Sequence, residues 1–244
     1  MKNNKRGLIL LLLLALVSIG AILQMDPIVQ DENYHQFSDE NTLFGIPNFW
    51  NVISNLPFIL VGLLGYKKLK LGAHSKWKYQ LLFAGIALVG LGSGYYHWMP
   101  SSETLVWDRL PMTITFMTLF AIIISEFVSV EWGNKLTIPL IILGFGSILY
   151  WRYSPSGDLR PYALVQFYPL LAIPIILTHF KSKFSNTSGY WYLLLAYVLA
   201  KFCEHFDQQI HDSLSLISGH SLKHIFAAAG LYCLFYAYRV RELK

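Results

Sequence analysis

The chain has 244 residues, of which 55% are hydrophobic and only 14% are charged, and its mean hydropathy is +0.44. A water-soluble domain usually has about 25% charged residues, so this composition excludes an ordinary soluble protein. An aromatic content of 16% excludes a disordered one. Membrane topology explains the formal net charge of +5 better than nucleic acid binding does, and no nucleic acid partner is expected.

The hydrophobic residues form stretches long enough to cross a membrane. A spanning helix needs about 20 mostly apolar residues. We predict eight such helices, near residues 7–24, 50–66, 78–98, 106–126, 135–151, 161–179, 190–206 and 220–237. The residues left for loops are too few for a separate soluble domain. The predicted fold class is therefore all-α, a polytopic membrane helical bundle.

The first predicted helix follows a basic segment that contains Lys2, Lys5 and Arg6. A basic start before an apolar run is also typical of a cleaved signal peptide, but the small-residue pair Ser18 and Gly20 is a weak cleavage motif. We predict an uncleaved helix. In both cases the acidic stretch that follows lies outside the cytoplasm.

The positions of lysine and arginine predict the orientation, because short loops rich in these residues stay on the cytoplasmic side. Basic residues gather at the N-terminus and at three later positions, namely Lys67, Lys68, Lys70, Lys76 and Lys78, then Lys181 and Lys183, then Arg239, Arg241 and Lys244. Residues 26–50 contain acidic residues and no lysine or arginine. We therefore predict cytoplasmic N- and C-termini, although Arg152 and Arg160 on a predicted outer side run against this bias.

Three histidines are candidate metal ligands. His220 and His224 are four residues apart at the start of the last predicted helix, so both rings lie on one face. The spacing is that of zinc-binding HExxH helices, but Ser221 replaces the glutamate of that motif. The pair alone is also compatible with a structural role. His97, at the same predicted non-cytoplasmic end, is a third candidate, and three imidazoles are typical of a catalytic zinc with an open fourth position.

Two further polar residues are predicted near these histidines. Asp108 begins the fourth helix at the same membrane face and is a candidate general acid and base in place of the missing glutamate. The alternative is a surface ion pair with Arg109. Ser93 lies one turn before His97, where its hydroxyl could bind substrate or a metal-bound water. The alternative for Ser93 is helix packing, because glycines surround it.

These segments together resemble the three-part signature of the alkaline ceramidase family, within the CREST superfamily of membrane hydrolases. The segments are Ser93-Gly94-Tyr95-Tyr96-His97, then Asp108, then His220-Ser221-Leu222-Lys223-His224. The resemblance implies a seven-helix core that binds one zinc through His97, His220 and His224, with Asp108 handling protons and Ser93 assisting. Residues 1–30 would be an added N-terminal basic segment and signal-anchor-like helix, and residues 31–244 the ceramidase-like membrane domain.

The implied activity is hydrolysis of the amide bond of ceramide, or of a similar N-acyl lipid, to a long-chain base and a fatty acid. The implied partner is thus a lipid substrate in the membrane. The predicted depth of the histidines agrees with this class, because a metal near the membrane rim can reach an amide that lies just beneath a lipid headgroup.

The family also binds calcium through an acidic N-terminal segment, which this chain matches only in part. Asp31, Asn33 and Asn48 are the candidate ligands, but Asn48 stands where the family has a carboxylate before a Phe-Trp-Asn motif. Asp26 and Asp39 offer further oxygen ligands. The alternative, an ordinary solvated acidic loop, is favoured.

Two other functions are compatible with parts of the sequence. A receptor-like or scaffold protein would use the histidines for a structural metal, closed by a fourth ligand such as His205 or Asp108. A transporter would have sites near the membrane midplane in repeated halves, and the sequence has neither feature. Lys201 and Glu204 are expected to form an ion pair within the bundle.

Overall fold

The computed structural model describes residues 2–69 and 76–244, so the predicted cytoplasmic Lys70 lies outside the described residues. Apart from two isolated bridges, the regular structure in these ranges is helical. The helices in chain order are α1 (Lys2–Gln24), α2 (Phe49–Ile53), α3 (Leu56–Lys68), α4 (Lys76–Trp98), α5 (Leu105–Ile123), α6 (Val130–Tyr153), α7 (Arg160–His179), α8 (Ser188–His205), α9 (Asp207–Leu214) and α10 (Gly219–Val240). A 3₁₀ turn covers Glu32–His35, and a π-helical segment, Ile124–Val128, continues α5.

The all-helical class is confirmed for the described residues, but the number of membrane spans is only partly supported. Five helices there are long and apolar enough to cross a membrane, namely α1, α2 with α3, α5 with its π-helical segment, α6 and α7. Helices also cover the other three predicted spans, as α4, α8 and α10. These three are not among the five. The seven-helix core remains a prediction.

The first compact unit consists of Met1–Gln30, Thr113–Ser185 and Leu243–Lys244. In it α1 packs against α7, and a Cβ atom added at Gly7 would lie 2.6 Å from the ring of Phe180. The loop before α7 is fixed by Asp158, whose carboxylate accepts the backbone N–H groups of Ile28 and Arg160 at 3.2 Å and 3.0 Å. The side chain of Arg160 completes an ion pair with Asp158 at 2.9 Å.

The second compact unit consists of Asp31–Met112 and Asn186–Glu242. Here α10 packs along α8 and against α3, and α3 packs against α4. The α3–α4 contact is close because α3 has a glycine at position 65, where a Cβ atom would lie 2.0 Å from the Phe83 ring. Phe83 and Leu234 are completely buried in this core. This packing places the C-terminal end of α4 beside the first turns of α10.

A break in the second predicted span separates α2 from α3. Helix α2 ends at Ile53, and α3 begins at Leu56 with Pro57 in its first turn, a position where proline is favoured because its missing N–H needs no partner there. The turn contains Ser54 and Asn55, which are both buried. The break therefore places polar side chains inside the second unit instead of continuing an apolar helix surface.

Candidate metal centre

Three histidines converge in the second unit. His97 lies in the last turn of α4, and His220 and His224 lie in the first two turns of α10. Their candidate ligand nitrogens all lie within 4.8 Å of one another. The three side chains are at most 7% exposed. This group could hold a metal ion.

The spacing and chemistry of the three imidazoles fit a divalent metal. The Nε2 atoms of His97 and His220 are 3.3 Å apart. Nitrogen ligands at about 2.0–2.1 Å from a tetrahedral zinc are separated by about 3.3–3.4 Å, so this pair already has the required spacing. Imidazole nitrogens also suit copper, iron and nickel, so the donor set does not by itself select zinc.

Polar contacts hold two of the histidines in place. The Nδ1 atom of His224 is 2.8 Å from the hydroxyl of Ser54, which leaves Nε2 of His224 as the nitrogen that faces the group. The backbone N–H of His220 donates to the carboxylate of Asp207 at 2.6 Å. The other oxygen of Asp207 accepts the N–H and the hydroxyl of Ser38 at 3.2 Å and 2.7 Å.

The segment that precedes α2 supplies an aromatic ring to the site. The ring of Phe37 lies 4.7 Å from that of His97 and 5.0 Å from that of His220, centre to centre, and Phe37 is 7% exposed. The sequence does not mark Phe37, Ser54 or Asp207 as residues of this site. No local motif marks Phe37, because only the fold brings residues 37 and 97 together.

Asp108 and Ser93 are in contact with each other. Asp108 lies in the first turn of α5, is partly buried, and accepts a hydrogen bond from the hydroxyl of Ser93. Helix α4 and the first turn of α5 approach closely because residue 92 is glycine: a Cβ atom there would lie 2.0 Å from the carbonyl oxygen of Trp107. Arg109 is buried, and its guanidinium lies 5.5 Å from the centre of the Tyr34 ring.

The ion pair predicted on α8 between Lys201 and Glu204 is present, and a third residue joins it. Glu204 pairs with Lys201 and also with Lys223, whose Nζ atom lies 2.9 Å from a Glu204 oxygen. Lys223 lies between the two histidines of α10 in sequence. His205, the possible fourth ligand of a structural metal site, is exposed, and its ring packs edge-on against Phe206. It is not part of the histidine group.

The candidate calcium ligands take part in hydrogen bonds within the second unit. Asp31 accepts the N–H of Asn33 at 2.9 Å and caps the 3₁₀ turn. The side-chain amide of Asn48 donates to the carbonyl oxygen of His97 at 2.9 Å. The carboxylate of the buried Asp39 accepts the backbone and side-chain N–H groups of Asn41.

His35, in the loop that carries Asp31 and Asn33, is held by two side-chain contacts. The ring nitrogens of His35 lie 2.9 Å from the hydroxyl of Tyr96 and 3.1 Å from that of Ser102. Burial lowers the pKa of His35 more than Glu32 raises it, and Arg109 lowers it further, so the neutral form of the ring is favoured. These two contacts attach the loop to the end of α4 and to the turn that follows it.

The fold and the site define a helical protein with a buried, three-histidine candidate metal centre. The ceramidase family model matches residues 41–243, and the chain belongs to this family. An alkaline ceramidase of Arabidopsis thaliana is 24% identical over 199 residues, which cover 77% of this chain and 74% of that relative. The predicted family resemblance is confirmed. The matched region begins after α1, and Asp31 and Asn33 also precede it.

Proposed function

We propose that the protein is a zinc-dependent membrane amide hydrolase that cleaves the N-acyl bond of ceramide, or of a similar N-acyl lipid, to a long-chain base and a fatty acid. Membership of the ceramidase family supports a ceramide-hydrolysing activity. The single observation that carries the zinc-dependent mechanism is the convergence of His97, His220 and His224 within the matched region. A zinc ion bound there would supply Lewis-acid activation of the amide carbonyl and of water.

The proton transfers are assigned to Asp108. Its carboxylate accepts a proton from the attacking water and delivers it to the nitrogen of the leaving amine, as a general base and then a general acid. The hydrogen bond from Ser93 orients the carboxylate for both steps. Ser93 and Asp108 directly follow Gly92 and Trp107, which approach each other closely, and this supports their acting together.

The surroundings of the site support a lipid substrate. Large aromatic and apolar side chains on the end of α4 and the start of α5 are exposed, namely Tyr95, Trp98, Met99 and Trp107. Tryptophan and tyrosine are enriched at the level of lipid headgroups. An amide just beneath a headgroup would lie at the same depth. Phe37 excludes water from one side of the imidazoles.

The proposal is tested by incubating the purified protein with a panel of N-acyl lipids, with and without a chelator, and identifying the products by mass spectrometry. We expect release of a fatty acid and a free amine from ceramide or a related N-acyl lipid, loss of this release with the chelator, and recovery on addition of zinc. Cleavage that continues undiminished in a metal-stripped sample would contradict the zinc-dependent mechanism. Absence of cleavage of every N-acyl lipid would contradict the hydrolase.

The receptor-like or scaffold alternative requires a closed metal site. Structural zinc sites have four protein ligands. Among the described histidine, cysteine, aspartate and glutamate side chains, the group found here has three members. An open fourth position favours catalysis. A protein that retains a stoichiometric metal yet cleaves no N-acyl lipid would favour the scaffold alternative.

The proposed topology places both termini in the cytoplasm and the active site towards the non-cytoplasmic face. Exposed Phe44 and Lys181 lie in loops of opposite predicted sidedness. Each can be replaced by cysteine in a chain that also carries Cys233→Ser, since Cys233 is exposed. A membrane-impermeant thiol reagent applied to intact cells should label Phe44→Cys and not Lys181→Cys. The reverse pattern would overturn the proposed orientation.

A further inference from the structure

The break between α2 and α3 places a serine hydroxyl beside a candidate metal ligand. The Oγ atom of Ser54 lies 2.8 Å from Nδ1 of His224 and 3.1 Å from the backbone carbonyl oxygen of Asn51. Both Ser54 and His224 are buried, at 7% and 4% exposure. Water therefore does not compete for these contacts, and the hydroxyl has two defined neighbours.

The direction of each hydrogen bond follows from the number of protons. A serine hydroxyl has a single proton, and a carbonyl oxygen can only accept. Both contacts are hydrogen bonds at once only if Ser54 donates its proton to the carbonyl oxygen of Asn51 and Oγ accepts a hydrogen bond from Nδ1 of His224. A neutral imidazole with a proton on Nδ1 has a free lone pair on Nε2. This is the nitrogen that faces His97 and His220.

We propose that Ser54 is a positioning residue that fixes the tautomer and orientation of His224, so that its Nε2 lone pair is directed at the metal. The proposal rests on the proposed metal site and goes further by assigning a role outside the three ligands. Groups that accept the second N–H of a metal-binding histidine typically change metal affinity or activity by about 10- to 100-fold when they are removed. The effect of Ser54 should have this size.

The neighbourhood of Ser54 offers a matched control residue. Asn51 accepts a hydrogen bond from the hydroxyl of Ser221 on its Oδ1 atom, at 2.7 Å. Ser221 is completely buried and lies on α10 between the two histidines, but its hydroxyl is bonded to Asn51. Ser221→Ala and Ser54→Ala therefore both remove a buried hydroxyl that contacts Asn51. Of these two hydroxyls, the structure places that of Ser54 against an imidazole nitrogen.

The first experiment measures zinc affinity by competition with a chromophoric chelator, using metal-stripped, detergent-purified protein. We expect Ser54→Ala to bind zinc about 10- to 100-fold more weakly than the wild type. Ser54→Thr, which keeps the hydroxyl, and Ser221→Ala should bind like the wild type. Equal affinity of Ser54→Ala and the wild type would overturn the role of Ser54. An equal loss in Ser54→Ala and Ser221→Ala, or in Ser54→Ala and Ser54→Thr, would also overturn it.

A second measurement on the metal-free wild type does not depend on the folding of any Ser54 variant. Nitrogen-15 NMR of histidine-labelled protein should show His224 with its proton on Nδ1, identified by comparison with His224→Gln. A proton on Nε2 would overturn the proposal. A wild type that binds no zinc would refute the proposed metal site itself, whereas zinc binding that is independent of Ser54 would refute only this inference.

Discussion

His97 joins α4 to the two histidines of α10, so its removal tests the group as a unit. We expect His97→Ala to lose the bound metal and to reduce lipid cleavage to background, because two imidazoles alone leave the proposed site without its third ligand. His205→Ala is the control, since His205 is exposed and outside the group. Metal content by mass spectrometry and product release should separate the two variants. Amidase activity retained in His97→Ala would refute the ligand role.

Asp108 is predicted to act on protons and not to hold the metal. Asp108→Asn keeps the size of the side chain and removes its ability to accept a proton. We expect a fall in kcat of about 10²- to 10⁴-fold with a normal metal content, which is the usual range for a general acid and base. Glu103→Gln, an exposed neighbour, should have no effect. Loss of the metal in Asp108→Asn would instead indicate a fourth ligand and a structural site.

Helix α10 is positioned at its start by Asp207 of α9. The carboxylate accepts hydrogen bonds from the backbone N–H of His220 and from the N–H and hydroxyl of Ser38. Asp207→Ala leaves these donors without an acceptor. Each buried donor left unpaired lowers the free energy of unfolding by about 1–3 kcal/mol. We expect a lower melting temperature and weaker zinc binding. Asp212→Asn, an exposed change on the same helix, should show neither effect. Unchanged zinc binding in Asp207→Ala would show that α10 is held in other ways.

Asp158, in the loop before α7, should make the stability of the first unit depend on pH. Burial alone would raise the pKa of Asp158, but hydrogen bonds from Arg160 and Ile28 outweigh it and hold the pKa below its usual value. A carboxylate with a depressed folded-state pKa stabilises the fold above its unfolded-state pKa, and this contribution is lost as the pH falls through the folded-state value.

Asp158→Asn should therefore lower the melting temperature at pH 7 by the equivalent of about 1.5–3 kcal/mol, the usual contribution of hydrogen bonds to a charged group. The difference from the wild type should shrink below about pH 4, near the reference pKa of aspartate. Asp26→Asn, an exposed change in the same unit, is the control. A difference that is the same at pH 3 and pH 7 would exclude the carboxylate charge as its cause.

The whole molecule divides into two compact units, and all three candidate ligands belong to the second. A metal that binds only the folded state stabilises the region that it ties together. Removal of zinc should therefore increase hydrogen exchange at the end of α4 and the start of α10. Exchange in α1 and α7, which belong to the first unit, is the internal reference. Equal increases in both units would contradict a metal effect confined to the second.

The sequence predicted the helices well because apolar periodicity over about 20 residues is a strong local signal. Motif spacing also led to His97, His220 and His224, which the structure brings together. It did not predict the break at Ser54 and Asn55, since Leu56 and the residues after it continue an apolar run. Nor did it predict Phe37 or Asp207 beside the histidines, because those contacts join segments that are far apart in the chain.

The order of the three imidazoles along the polypeptide has a consequence for biosynthesis. A ribosome makes His97, at the end of α4, well before His220 and His224, which lie at the start of α10. No nascent chain that ends before α10 can capture the ion with more than one of these three side chains. The proposed metallation would therefore be a late step in the maturation of the protein, and a chain stalled before α10 should not retain zinc.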